Sequence, residues 1–353
     1  MAILGQKGGD TGLPNIMFSA TTTWTPSCNV EAMIYCIGAG GSGAYSNRNT
    51  DASASGGGAG GTAVSKYVFL ASTAYTITIG AGGASAGVST STAAAAGNAG
   101  GNTTVAVGGS AFLTGNGGSA GATGSSAGCS GGAGGSASGG NIANYTGGAG
   151  GACASTRQAS GGGATGLWMT GSAGQAGITG ASTTSVIEFS FGGALNQYQE
   201  GGIYGTGTEK GSMDNMGAGQ GQDIPVMLCP FPELFSYDEF QNAVYNGPDL
   251  GSPSQYANTT NKYHAGQIMN GGANSRFDAA QSRGNGTYIA QPTGPFEGGK
   301  AAVVTDGFEW AYGSRVSMGA GSGAQRTTST SSGRTNPAKG GAGVVLIFPT
   351  LMG

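Results

Sequence analysis

The chain has 353 residues, enough for one large or two ordinary domains, yet 76 are glycine and only 8% are charged, so an ordinary enzyme, with roughly 7% glycine and about 25% charge, is a poor description. A net charge of −3 without any basic run leaves nothing to neutralise a phosphate backbone, which excludes nucleic acid as a partner. No basic segment followed by an apolar stretch opens the sequence and no window approaches the roughly 20 apolar residues that cross a bilayer, so we expect no signal peptide and no membrane insertion.

Trp24 and Pro26 precede the first legible strand, Val30 to Ile37, a β-branched and apolar run that Gly38 breaks. Lys66 to Leu70 follows, then Tyr75 to Ile79 in strict alternation, then Thr103 to Val107. Glycine next recurs at every third position: Gly115, Gly118, Gly121 and Gly124, then Gly128, Gly131 and Gly134, and later Gly171, Gly174, Gly177 and Gly180. Three residues per turn is the repeat of the polyproline II helix, and a glycine at every third site lets neighbouring helices approach and hydrogen-bond backbone to backbone. A flexible linker needs no period, and alanine fills many sites where a solvated linker would carry Ser, Glu or Lys. The repeats are therefore expected to be ordered and close-packed. Val186 to Phe191 puts Ile187, Phe189 and Phe191 on one face, and the nearly all-apolar Val344 to Phe348 reads as a central strand buried on both faces. The expected fold is all-β: a β-sandwich-like glycine-rich domain with polyglycine II segments.

Between Ile224 and Val316 the texture changes. Seven of the 11 prolines lie there with most of the later aromatics, and the triplet glycines stop. Ser236 and Glu239 have capping-box spacing, Phe240, Ala243 and Val244 make an apolar face, and Gly247-Pro248 ends the element, so a short helix is expected. Residues 224–316 read as an inserted, mostly irregular module projecting from one end of a glycine-rich domain formed by 21–223 and 317–353, with 1–20 left as an N-terminal docking segment. Many of the module's aromatics must form its own core. The others offer a binding surface, since exposed Tyr and Trp stack on sugars or anchor protein contacts. Trp310 and Tyr312, followed by Arg315, are the first candidates, and Tyr256, Tyr263 and His264, in a polar setting, are the next.

Motifs that resemble chemistry fail in context. Gly38, Gly40 and Gly43 spell a dinucleotide fingerprint after a strand, but Ala44 to Gly61 has no helical period. Ser119 and Ser130 sit in G-x-S-x-G matches within glycine repeats, not on a strand-to-helix turn, and His264 is the single histidine that could serve as a base. One histidine and five cysteines without C-x-x-C spacing build no usual zinc site, and Asp238 and Glu239 suit a first helical turn better than paired acid/base work. No catalytic residue, metal or cofactor is expected. Cys28 and Cys36 stand about 26 Å apart if they share a strand at about 3.3 Å per residue, and the other three cysteines fall in unrelated segments, so all five are expected to be reduced, buried small residues.

Several anchors in order carry a resemblance. Trp24-Thr25-Pro26, Ile37-Gly38-Ala39-Gly40-Gly41, Gly56 to Thr62 leading into Val68, Tyr75-Thr76-Ile77-Thr78-Ile79-Gly80-Ala81-Gly82-Gly83, and Gly340 to Ile347 together resemble the glycine-rich domain of tail-fibre and related virion proteins of tailed phages. The likeness covers roughly 20–190 and 317–349. It departs in the 224–316 module and at Ser27-Cys28, where an Ala-Gly turn is commoner. The resemblance implies a β domain bearing glycine loops, sometimes packed as polyglycine helices like those of T-even-type fibre-tip adhesins, and it brings no catalytic residue. It implies a virion protein assembled in the host cytoplasm, its partners being other virion proteins and a host-surface glycan or outer-membrane protein bound as receptor. A homo-oligomer is expected, a trimer in fibres although some tips are monomers. The alternatives are a purely structural virion protein, such as a capsid decoration or fibre joint, and at a distance a tailspike depolymerase.

Overall fold

The computed structural model describes residues 16–47, 52–86, 94–124, 128–153, 158–160, 162–163, 165, 181–182, 187–190, 286–289, 301–304, 308–312, 318–327, 334–336 and 339–349. Among them the fold is all-β, without helix. The capping-box segment around Ser236 and the glycines from Gly171 to Gly180 lie outside the described residues.

Alternation in Val30–Ile37 decides the core. Val30, Ala32, Ile34 and Cys36 point to one face, and Tyr35 and Ile37 to the other. This strand lies at the centre of a five-stranded antiparallel sheet, in the order Ile16–Phe18, Val344–Pro349, Val30–Ile37, Thr62–Phe69, Ala143–Tyr145. Its first face packs on a second antiparallel sheet, in the order Ala137–Ser138, Ser110–Gly115, Thr103–Val107, Tyr75–Thr78, Thr22–Trp24. Ile34, Phe69, Val345 and Ile347 from one sheet meet Tyr75, Ile77, Val105 and Leu113 from the other, all buried. Each such side chain contributes about 1.5–3 kcal/mol by leaving water. Trp24 closes one edge, lying 4.8 Å from Phe69 in an edge-on contact.

The closing strand is buried on both faces as expected: Val345 and Ile347 join the inter-sheet core, and Val344 and Leu346 join Met17, Tyr35, Ile37 and Val64 on the opposite side. Two strands differ from expectation by more than a residue. Thr62–Phe69 begins four residues before Lys66, because Thr62 to Ser65 pair in register with Ile37 to Ile34 although they are small and show no apolar run. Ile16–Phe18 comes from the segment read as a docking arm, yet it pairs with Val345 to Ile347 and buries Met17 and Phe18.

Beyond the sandwich the strands run on as extended glycine-rich segments. Segment 38–44 donates from Gly38, Gly41 and Ala44 to Gly61, Gly58 and Ser55, from Ala39 and Ser42 to Gly101 and Asn98, and from Gly40 to Gly341, at 2.8–3.1 Å. Its carbonyls accept from Gly118 and Gly121, from Gly83, and from Ser322 and Gln325. It therefore has six neighbours, addressed in turn with period three. Segment 55–61 also has six: it donates to 116–122, 319–325 and 147–153, and accepts from 38–44, from 129–136 and from Gly163. The two share 116–122 and 319–325 as neighbours, and the contacts around them close into a ring. The result is a hexagonal array of ten segments in rows of three, four and three. One outer row is 95–101, 116–122, 129–136. The middle row is 80–86, 38–44, 55–61, 147–153. The other outer row is 340–343, 319–325 and the stretch through Ser160, Gly162, Gly163 and Thr165. This is the packing of polyglycine II.

The triplet glycines mark the packed columns. A Cβ on Gly118 or Gly121 would lie 2.0 Å from the carbonyl oxygens of Gly58 or Ser55, and one on Gly131 or Gly134 would lie 1.8 or 1.7 Å from those of Gly150 or Gly147. Some side chains survive inside the array: Ser42 Oγ donates to the Ala84 carbonyl and accepts from the Asn98 N–H, both at 2.8 Å.

Candidate functional site

The direction of each segment follows from the strand that feeds it. Val30–Ile37, Tyr75–Thr78, Ser110–Gly115 and Ala143–Tyr145 lead into 38–44, 80–86, 116–122 and 147–153, so these segments run away from the sandwich. Segments 55–61, 95–101, 129–136 and 340–343 return to it and continue into Thr62–Phe69, Thr103–Val107, Ala137–Ser138 and Val344–Pro349. The pairings of Ser322 and Gln325 with Gly41 and Ala44, and of Ala324 and Gly321 with Ser160 and Gly163, fix the remaining two as one outgoing and one returning. The five outgoing segments thus end, and the five returning ones begin, at the face opposite the sandwich, and in sequence they are connected by 45–54, 87–94, 123–128, 154–159 and 326–339. This face is the candidate site, because connections on a rigid scaffold carry variable recognition chemistry.

Short strands extend the array at this face. Tyr45–Asn47, Gln325–Thr327, Ala301–Val304 and Ile187–Ser190 form one sheet, and Thr123–Gly124, Ser53–Ala54, Gln158–Ala159 and Ala181–Ser182 form another. The 187–190 strand falls within the expected Val186 to Phe191. A third joins Gly286–Ile289, Phe308–Tyr312 and Arg334–Asn336 in parallel. The first connection is pinned from below: Arg326, 1% exposed, donates from its guanidinium to the Ala52 carbonyl and, at 3.4 Å, to Ser46 Oγ.

Trp310 and Tyr312 lie in the strand Phe308–Tyr312 and are paired in register with Arg334 and Asn336, which places both in this terminal sheet. Tyr256, Tyr263, His264 and Arg315 lie outside the described residues. The sequence reading missed the face itself.

The cysteines require a correction. The four described ones are free thiols, but Cys28 is exposed, and Cys129 and Cys153 are not in unrelated places. They form an isolated antiparallel bridge in which each N–H donates to the other's carbonyl, at 3.0 and 2.8 Å, because the hexagonal array sets the start of 129–136 beside the end of 147–153. The neighbouring Cys153 thiol, together with the Ser53 hydroxyl, pulls Cys129 down to about 6, and the Cys129 sulfur and burial push Cys153 up. Cys36, fully buried, is pushed up to about 12 by desolvation and donates to the Thr103 carbonyl.

With this arrangement in hand, comparison with known families is direct: a model described as a glycine-rich domain matches residues 17–225. The chain belongs to the glycine-rich domain family. The match takes in the second sheet, most of the first and most of the array. Segments 319–325 and 340–343 and the strand Val344–Pro349 lie beyond it, yet they complete the glycine-rich domain, since both central segments bond to 319–325. No curated protein matches the chain.

Proposed function

We propose that the chain is a virion attachment protein of a tailed phage, a tail-fibre or fibre-tip component that holds a host-surface glycan or outer-membrane protein at the turning face and breaks no bonds in it. The observation that carries this reading is the gathering of all five connections, together with the strand bearing Trp310 and Tyr312, on the face opposite the sandwich. The array beneath that face is held by backbone hydrogen bonds, so its connections can change sequence without disturbing the support. The likeness of Trp24-Thr25-Pro26 and the Tyr75 to Gly83 block to phage tail-fibre domains supports the virion setting. Other virion proteins would then hold the opposite end, and a trimer is the assembly proposed.

The test is adsorption of the purified full chain to bacterial cells, with Trp310→Ala and Tyr312→Ala compared with Ile142→Ser, a change at an exposed residue on the sandwich side. Loss of adsorption in the first two with folding intact by circular dichroism, and retention in the third, is expected. Full adsorption by both aromatic variants would move recognition away from this strand. Absence of adsorption by the parent on every strain that its phage infects would favour a structural role within the particle.

A further inference from the structure

We propose that Cys129 and Cys153 are an oxidation site: on meeting a peroxide the pair closes to a disulfide that clasps segments 129–136 and 147–153 at the turning face. The backbone geometry is already that of a bridgeable pair. Residues exchanging both N–H to C=O bonds in an antiparallel bridge hold their Cα atoms about 5.5 Å apart, inside the roughly 4.4–6.8 Å that disulfides span. The side chains emerge on the same side, since directly opposed residues of an antiparallel bridge carry their Cβ atoms on one face of the pair.

The two sulfurs have unequal surroundings, and this assigns their roles. Cys129 is partly exposed, and Ser53 Oγ donates to its sulfur at 3.3 Å. Cys153 is 4% exposed, with its sulfur 2.9 Å from Ser160 Oγ and 3.2 Å from the Ala54 carbonyl to which it donates. The thiol that meets an oxidant first is thus also the one whose thiolate the neighbouring donors stabilise, which raises its nucleophilic fraction at neutral pH.

In the first step the Cys129 thiolate attacks one oxygen of hydrogen peroxide. An S–O bond forms, the O–O bond breaks, and hydroxide leaves to be protonated to water, so Cys129 becomes a sulfenic acid. The Cys153 sulfur then attacks that sulfur. The S–S bond forms, the S–O bond breaks, and the departing hydroxide takes the Cys153 proton as a second water. Two thiols are oxidised by two electrons and one peroxide is reduced to two waters. Neither other described cysteine can replace a partner: Cys28 is exposed but lies before Val30–Ile37, and Cys36 is sealed inside the sandwich.

The experiment treats the full chain with hydrogen peroxide at neutral pH and reads intact mass and the non-reduced proteolytic map. The expected result is loss of two hydrogen masses and one linked peptide containing Cys129 and Cys153, reversed by dithiothreitol. In Cys153→Ser, a cyclic diketone should trap sulfenic acid at residue 129. Unchanged mass with both thiols still open to alkylation after unfolding, or a bridge mapped to any other pair, overturns the proposal. Failure to trap the adduct in Cys153→Ser overturns the assignment of Cys129 as the attacking thiol.

Discussion

A single methyl group is the sharpest probe of this molecule, because its closest contacts are between backbones. Gly118→Ala would put Cβ 2.0 Å from the Gly58 carbonyl oxygen on a central segment that is itself enclosed on six sides and cannot retreat. We expect a loss of at least about 1–3 kcal/mol, the overpacking range, measured by chemical denaturation. Unchanged stability would mean that the segments do not meet there. The thiols make a second residue-scale prediction, in pH. With Cys129 pulled down to about 6, its thiolate fraction rises through that value and is nearly complete by about pH 7, whereas an ordinary thiol near about 8.5 is still mostly protonated there. Site-resolved alkylation of Cys129 should therefore level off around neutrality. Alkylation that keeps climbing to pH 9, as that of an ordinary thiol does, would contradict the stabilisation of the Cys129 thiolate by its neighbours.

Among the elements, the hairpin from Thr103–Val107 to Ser110–Gly115 shows what was readable and what was passed over. Its two-residue turn has φ of 57° at Gly108 and 82° at Gly109, the left-handed pair of a type I′ turn that suits the twist of antiparallel strands. No atom outside the turn lies within 4 Å of a Cβ built on either glycine, so strain alone decides substitutions there. Gly108→Val should cost about 1–2 kcal/mol and Gly108→Asn much less, by thermal or urea melting; equal effects would remove backbone strain as the cause. Gly-Gly between apolar runs is a hairpin signal, yet the sequence reading placed only the first strand, since the second was absorbed into the glycine repeat that begins at Gly115. Strong runs such as Val30 to Ile37 and Thr103 to Val107 were legible to the residue. The outer columns at Gly118 and Gly131 were legible by their period. The central segments were not, because a segment enclosed on every side needs glycine in two of its three columns. Doublets such as Gly40-Gly41 and Gly57-Gly58 then hide the spacing of three. The turning face was also beyond reach, since it depends on which direction each segment runs, and that is settled by pairings far apart in sequence.

At the scale of the whole molecule, the order of the chain makes one part separable from the rest. Of the ten segments, eight are joined in pairs through the sandwich or enter and leave it directly. The stretch ending near Thr165 and the one starting at Gly319 are instead joined through 166–318, which includes most of the sequence outside the family match. Those two ends are adjacent: a Cβ on Gly319 would lie 2.7 Å from Thr165 Cγ2. A loop between neighbouring ends can be shortened at small entropic cost, since closure depends only logarithmically on length. Replacing 170–315 with a short Gly/Ser linker should therefore leave the array intact. Gln325–Thr327 loses its partner Ala301–Val304, and Gln158–Ala159 loses Ala181–Ser182, so the variant should melt at a lower temperature, yet in one transition. Slow amide exchange across 38–44 and 55–61, each hydrogen-bonded into six neighbours, is the decisive measurement. Protection there with adsorption abolished would divide the molecule into a support and a recognition part, as the attachment reading requires. Exchange at the rate of an unfolded chain would show that the excursion is needed to build the array itself.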